Sequence, residues 1–565
     1  MLKGSANLSK VKFVILIACV ILSRFLNTAF AAEAPDAGKT LEGLHRSEIN
    51  PPTRQELQFS TQQSISHEVA ADSTTKFVVR GVAMTGQDIF AEQELLALIA
   101  DKIDKEVCLA DLEEVAALIT DYFHKHGYIV ARAYIPAQRI DNGIVQIAIS
   151  PGYYDDVIFI KNIPISDDIL KSRLGSVTAG AVIEKSSLEK ALWLINDLDG
   201  VEARATLMLG ERNGTSKLII ELNNRGKKVS GHISTNNFGN RFTGSHELSS
   251  AVNIRNLNLQ GDSLSVYGVT AGGGLTSGSL VYQLPVAFEA TGKLDFSYSR
   301  VSYSLGEEFA SLNARGTADS AMIAYRHTFR RSRMANVYGQ IAYSYTRLSD
   351  AVASFTTDKH SKAVHLTLSG DSIDQWGGGG ANTWSIGFNA GRLYATDDGA
   401  IQAGTPGAFG KWNVSAARNQ YISDRLSFIS FTNVQWATKN LDSSEKLSLG
   451  GAYGVRAYPK GEASGDQGFL WNSELHWTLP SKPNTGVLKL ISFYDCGAVR
   501  LNKEPWIGAN PNNHRILSGA GLGIVWNKPD NFSARITYAW KVGSEKATSD
   551  NDRNGRFWWQ ITQYF

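Results

Sequence analysis

The chain has 565 residues, and 56 Lys and Arg stand against 54 Asp and Glu for a formal charge of +2, so no basic field draws it to nucleic acid. Charged residues make up 19%, glycine holds 52 positions and proline only 14. Collagen, long disorder and acidic solvating tails are excluded, and three cysteines cannot build a disulfide framework.

Lys3, Lys10 and Lys12 precede the apolar run Phe13 to Leu22, and the small residues Ala29 and Ala31 follow two apart. Charge, apolar core and cleavage site in that order predict a secretory signal peptide over 1–31, cut after Ala31. The run of ten is too short to cross ~30 Å of hydrocarbon as a helix. Cys19 leaves with it, and Cys108 and Cys496 fall in different predicted domains, so no disulfide is expected. Residues 32–75 read as an N-terminal segment and linker, with Pro51-Pro52 and scattered Gln, Ser and Thr.

From Lys76 the pattern becomes periodic. Phe77–Val82 reads as a strand and Ala91–Ala100 as a helix. Leu109 to Gly127 reads as a second helix with Leu112, Val115, Ala116, Ile119 and Phe123 on one face and Gly127 as its stop. Tyr128–Ile135 and Gly143–Ser150 then alternate as strands. The order β-α-α-β-β repeats in 151–225: a strand at Asp155–Ile160, helices at Ser166–Leu174 and Ser186–Leu198, and strands at Val201–Leu209 and Lys217–Asn223. Two tandem α/β modules are predicted, over 76–150 and 151–225.

From about Lys228 the helical period vanishes. Leu294, Phe296 and Tyr298 alternate with Asp295, Ser297 and Ser299. Phe469, Trp471, Leu475 and Trp477 lie opposite Asn472, Glu474, His476 and Thr478, and Phe532, Ala534, Ile536, Tyr538 and Trp540 lie opposite Ser533, Arg535 and Thr537. A mean hydropathy of −0.17 is what a membrane β-barrel yields, because its strands average a lipid face with a lumen face. About sixteen segments fit in 226–565, an even number, and sixteen strands enclose an aqueous lumen. The chain ends on Phe565 in an alternating segment. A soluble sandwich or propeller explains the alternation alone, not the signal peptide and the aromatic strand ends together.

One connection, about 438–466, is long and glycine-rich. With the modules in the periplasm it follows the eleventh strand and lies on the extracellular side, and its glycines let it fold inward. Further on, alternation puts Phe493, Asp495 and Gly497 on one face of a strand, and a carboxylate there belongs to the lumen.

These features resemble the two-partner secretion transporters, the family of the haemolysin and filamentous haemagglutinin transporters. The paired modules resemble POTRA domains. Val455-Arg456-Ala457-Tyr458 resembles the family's Val-Arg-Gly-Tyr signature, with Ala457 in place of Gly, and the stretch through Asp466 to Gly468 resembles its continuation. Phe493 to Gly497 resembles its second barrel motif, and Phe565 the C-terminal aromatic that barrels present to the barrel assembly machinery. The resemblance implies an outer-membrane pore, bathed by outer-membrane lipids, that recognises a secreted exoprotein through its POTRA domains and passes it outward unfolded. It also implies loop-anchoring and transport roles for Arg456, Tyr458, Asp466, Asp495 and Gly497, and a plug helix near 37–48. A fork from Arg456 to Asp495 is the specific expectation; in a wet lumen it would add on the order of 1 kcal/mol or less. A positive φ at position 457 would strain Ala457.

Other classes fit less well. A general porin has no use for two periplasmic modules, and an assembly factor for other barrels usually carries more of them. For an enzyme no constellation is in place: His124 and His126 lack a third ligand, Asp155-Asp156 and Asp397-Asp398 read as solvated carboxylates, and Gly377–Gly380 lacks the Lys-Ser/Thr of a phosphate loop. No cofactor or metal is expected. A closed barrel has no free edge, so a monomer is predicted.

Overall fold

The computed structural model describes residues 35–44, 58–61, 76–482 and 485–565. The predicted signal peptide, with Ala29 and Ala31, lies outside them. The N-terminal segment contributes helix α1 (Ala37–Leu44) and a short strand β1 (Gln58–Thr61). Residues 45–48 of the predicted plug helix also lie outside the described residues.

The first module comprises β2 (Phe77–Val79), β3 (Gly81–Thr85), α2 (Glu92–Ala97), β4 (Lys105–Val107), α3 (Leu109–Lys125), β5 (Arg132–Tyr134) and β6 (Ile144–Ser150). Helix α3 buries the five predicted apolar residues. Its first turn is tied by the Asp111 carboxylate, which accepts the Cys108 N–H at 2.8 Å. The single strand expected at Phe77–Val82 divides at Arg80, because β2 pairs with β4 whereas β3 runs parallel to β6. The strand expected from Tyr128 begins only at Arg132, since the Tyr128 N–H is spent on the Phe123 carbonyl at the end of α3. Helix α2 stops at Ala97, short of the expected Ala100.

The second module comprises β7 (Tyr153–Lys161), α4 (Asp167–Leu174), α5 (Lys185–Asn196), β8 (Val201–Leu209) and β9 (Thr215–Asn224). In the three-stranded sheet β3-β6-β5 of the first module and in β7, β8 and β9 of the second, the first strand runs parallel to the last, and the last pairs antiparallel with the middle one. In the second module β1 adds an outer strand, giving the order β1-β8-β9-β7.

The remaining strands begin with β10 (Val229–Asn236), β11 (Glu247–Arg255), β12 (Ser263–Thr270), β13 (Leu275–Pro285), β14 (Lys293–Ser304) and β15 (Arg315–Arg330). Next come β16 (Ala335–Val352), β17 (Phe355–Asp374), β18 (Gly380–Tyr394), a short helix α6 (Asp398–Gln402), β19 (Gly407–Ser423) and β20 (Leu426–Ala437). A two-strand ribbon, β21 (Leu447–Ser448) and β22 (Ser464–Gly465), precedes β23 (Gln467–Thr478), β24 (Val487–Arg500), β25 (His514–Lys528), β26 (Phe532–Lys541) and β27 (Gly555–Tyr564). All but the ribbon form one closed antiparallel barrel of sixteen strands, sealed where His232–Asn236 of β10 pairs with Gln560–Tyr564 of β27. Beyond that ladder Phe565 and Gly231 exchange N–H···O bonds at 3.0 and 3.1 Å. The outward face exposes Phe296, Tyr298, Ile341, Tyr343, Trp412, Trp477, Ile536 and Trp540, the apolar surface lipid requires.

Counting β10 as the first strand of the barrel, the second module is bolted to turns that follow even-ranked strands, the fourth (β13) and the sixth (β15). Arg331 grips Asp197 with two bonds of 2.7 Å, and Arg173 donates to the Glu289 carbonyl at 2.7 Å. Connections after odd strands therefore lie at the far end. Such a closed hydrogen-bonded circuit has no edge from which to unravel. Unheated protein in SDS is expected to migrate differently from boiled protein, with β-dominated circular dichroism; equal mobility would contradict closure.

Candidate functional site in the barrel lumen

The lumen is filled rather than open, with a helix and a loop packed against the inner wall. Helix α1 lies within it near the far end: Ala37 and Leu41 are buried against Phe242, Tyr303 and Leu348, whose side chains point inward. The Ala37 N–H donates to Asp350 at 2.8 Å, and Ser443 donates to Asp36 at 2.8 Å. The Ser443 contact joins α1 to the second occupant, the loop 438–466. A cavity of about 440 Å³ remains between helix, loop and the wall around β10 to β13.

The loop leaves β20, forms the β21–β22 ribbon and turns back at its tip. The Val455 N–H donates to the Leu449 carbonyl at 2.7 Å, and Tyr458 N–H to the Val455 carbonyl at 3.0 Å. Val455, Ala457 and Tyr458 pack without exposure against Leu470, Phe493, Leu517 and Ala539, all on inward faces of β23 to β26. Arg456 is at the centre. Its Nε and Nη2 donate to the two Asp495 oxygens at 2.8 and 2.6 Å, and its backbone N–H adds a third bond at 3.1 Å. Nη1 donates to Glu474, which also binds Arg535 and His476. Asn472 donates to Asp495 at 2.8 Å, Trp558 Nε1 donates to the Arg456 carbonyl at 2.7 Å, and the Phe493 ring lies 3.5 Å from the guanidinium carbon.

The pair is dry. The Arg456 side chain is 4% exposed and that of Asp495 0%, because Phe493 and the loop tip cover it. This corrects the expectation of a water-screened pair: two ions held this deep, with every lone pair engaged, make removal of one partner expensive, about 3–5 kcal/mol.

Tyr458 donates to the Glu545 carbonyl at 2.9 Å. Asp466 is fully buried at the loop's other end, accepting from the N–H groups of Leu441 and Lys503 and from Lys446. Gly497 lies against Leu449 of the loop, where an added Cβ would come within 2.8 Å. The structure thus places all five predicted residues where loop and wall meet, and joins Arg456 directly to Asp495. Ala457 has no left-handed backbone; the loop's left-handed alanine is Ala463 at φ 54. Instead the Ala457 methyl occupies the space beside Gly519, where a Cβ would stand only 2.5 Å away.

Sequence reasoning did not link a second buried pair. Glu462 is fully buried and accepts from Arg515 at 2.8 Å and from the N–H and hydroxyl groups of Thr548 and Ser549 at 2.7–2.9 Å. It ties the loop to the connection before β27. Its position in the loop's continuation was the available signal. The residues set aside as non-catalytic are engaged structurally. His124 and His126 bond to the Ala131 and Tyr122 carbonyls, and Asp397 caps α6 through the Ala400 N–H. Asp155 is not simply solvated: the Glu211 N–H and then Arg212 hold its carboxyl below the usual range.

Comparison with known proteins decides the lineage. Residues 214–525 match the family described as haemolysin secretion/activation protein ShlB/FhaC/HecB, and residues 77–152 match the ShlB-type POTRA domain. The chain belongs to that family. It is similar to the heme/hemopexin transporter protein HuxB of Haemophilus influenzae, 26% identical over 555 residues covering 95% of this chain and 96% of the relative. It is also similar to the outer membrane transporter CdiB of Escherichia coli, 23% identical over 91% of this chain and 88% of that protein. The solved structure of CdiB from Escherichia coli superposes with a TM-score of 0.71 at 21% identity, over 89% of this chain and 93% of that one. CdiB from Acinetobacter baumannii gives 0.61 at 17% identity with full coverage of both. Those likenesses show the fold. Family, barrel and module together make this chain an outer-membrane transporter of two-partner secretion, a translocation pore for a partner exoprotein with its POTRA region in the periplasm.

Proposed function

We propose that this transporter recognises one exoprotein of the haemolysin or adhesin type through both periplasmic modules and exports it unfolded through the barrel. In this reading 1–31 is the removed signal, 32–75 the segment carrying the plug, 76–150 and 151–225 the two POTRA domains and 226–565 the pore. The protein works as a monomer, and Phe565 is the residue read by the barrel assembly machinery. The observation that carries the reading is a lumen filled by a helix and a loop that are not part of the sixteen-strand circuit, rather than by wall residues alone. Arg456 and Asp495 pin the loop tip to the wall, Tyr458 and Gly497 shape its seat, and Asp466 fixes its return.

The test is export of the exoprotein encoded beside the transporter, measured in culture medium with and without it. Deleting 76–150 is expected to remove export while the barrel still reaches the outer membrane and keeps its heat-dependent mobility. Unchanged export by that variant would reduce the module to a spacer.

A further inference from the structure

We propose that the outward face of β14 to β18, at the extracellular end of the barrel, is a binding surface for the phosphates of lipopolysaccharide, the glycolipid of the outer leaflet.

Alternation fixes which side chains face the membrane here. Ala318 of β15 and Leu348 of β16 are buried against α1, so their neighbours Asp319 and Arg347 point outward. On β14 Val301 packs inside and Arg300 is exposed. On β17 and β18 Ala363 and Leu393 are buried, while Lys362 and Arg392 are exposed.

The ladders align these residues in two rows. Arg300 stands opposite Asp319, Asp319 opposite Arg347, Arg347 opposite His360 and His360 opposite Tyr394. One row nearer the periplasm, Tyr345 faces Lys362 and Lys362 faces Arg392. Of the four strong cations, Arg300 meets Asp319 at 3.3 Å. Arg347, Lys362 and Arg392 have no ion-pair partner among the described residues. Asp358, one row farther out, is the other acid at this end of the face. Lys362 Nζ lies 5.9 Å from the Tyr394 ring, which stacks on His360 at 4.6 Å.

The height of the rows selects the ligand. Ten residues along each strand, the first row has its counterpart in Val337, Gly370 and Trp384, which are themselves paired. That interval is about 33 Å along the strands and about 25 Å along the membrane normal at a tilt of ~40°, the height of a barrel's apolar band. Just past Val337 lies the turn that Arg331 fixes to the second module, so Trp384 marks the periplasmic interface and the cations stand at the outer headgroups. Unpaired cations aimed at a membrane are favourable only there, against phosphate. Arg347 and Arg392 are two strands and about 10 Å apart. They can each fork a phosphate on one disaccharide headgroup. Its acyl chains then run down over Ile341, Leu366 and Phe388.

The test takes the full chain in neutral detergent and reads bound lipid by native mass spectrometry, with diphosphorylated lipid A as the probe. Binding is expected, and phosphatidylglycerol at equal concentration should not displace the probe. Arg347→Gln, Lys362→Gln and Arg392→Gln together should weaken it about a hundredfold, roughly fivefold for each lost charge, with heat-dependent mobility unchanged. Equal binding by this variant overturns the site. Equal displacement by phosphatidylglycerol reveals a general anionic belt and overturns the glycolipid assignment. A measurement on the unaltered chain does not depend on how the variant folds: monophosphorylated lipid A should bind several-fold more weakly than the diphosphorylated form. Equal affinities overturn recognition through two phosphates.

Discussion

Exchanging Arg456 for alanine will remove most export while protein level and heat-dependent mobility stay at wild-type values. The substitution strips Asp495 of two of its three bonds from Arg456 and leaves Glu474 without one of its cations. An uncompensated buried carboxylate costs about 3–5 kcal/mol, and that cost falls on docking the loop tip. The sixteen-strand circuit does not depend on it. Arg456→Lys will fail nearly as badly, since one ammonium cannot reach both Asp495 oxygens and Glu474 in the guanidinium's fork geometry. Asp495→Ala will resemble Arg456→Ala. If the two act as a unit, the double variant will be no worse than either single one, because removing both charges leaves neither buried alone. Measured by exoprotein in the medium against transporter in outer-membrane fractions, full export by Arg456→Ala or strictly additive losses would refute the anchor.

Unseating α1 will open the pore to ions. The helix backbone passes so close to the loop that a Cβ at Gly38 would lie 2.3 Å from Ser443 Oγ and 2.6 Å from the Ser444 backbone nitrogen, and a backbone atom cannot swing aside as a side-chain tip can. Gly38→Leu therefore keeps the segment but disfavours its seat, and deletion of 35–44 removes it. In planar bilayers both variants are expected to conduct several-fold more than the parent, the deletion most. Equal conductance would mean that the loop alone seals the lumen. Combining Gly38→Leu with Arg456→Ala tests whether helix and loop block in series or side by side.

The sequence by itself determined the parts whose signal is local. A two-residue period over ten-residue segments states which side chains face lipid and which face the lumen, so the inward aim of Asp495 and the shared face of Asn472 and Glu474 followed from spacing alone. A 3.6-residue period did the same for the buried face of α3. Boundaries were less legible: Phe77–Val82 broke in two because its halves found different partners, which no local pattern encodes. What only the tertiary structure decided is which inward residues meet. Arg456, Glu474, Asp495, Arg535 and Trp558 span a hundred residues of chain and converge because closure and strand register bring β23 to β27 round one side of the loop tip. The same closure explains why the pair is dry: alternation shows that Asp495 faces the lumen, but not that Phe493 and the returning loop exclude water there. The seat of α1 and the parallel ladder of β1 on β8 were equally out of reach. Helix and strand lie in a segment with little period of its own, and their places are set by surfaces built far later in the chain, 146 residues on for the Ser60–Thr206 contact and 407 for Asp36–Ser443.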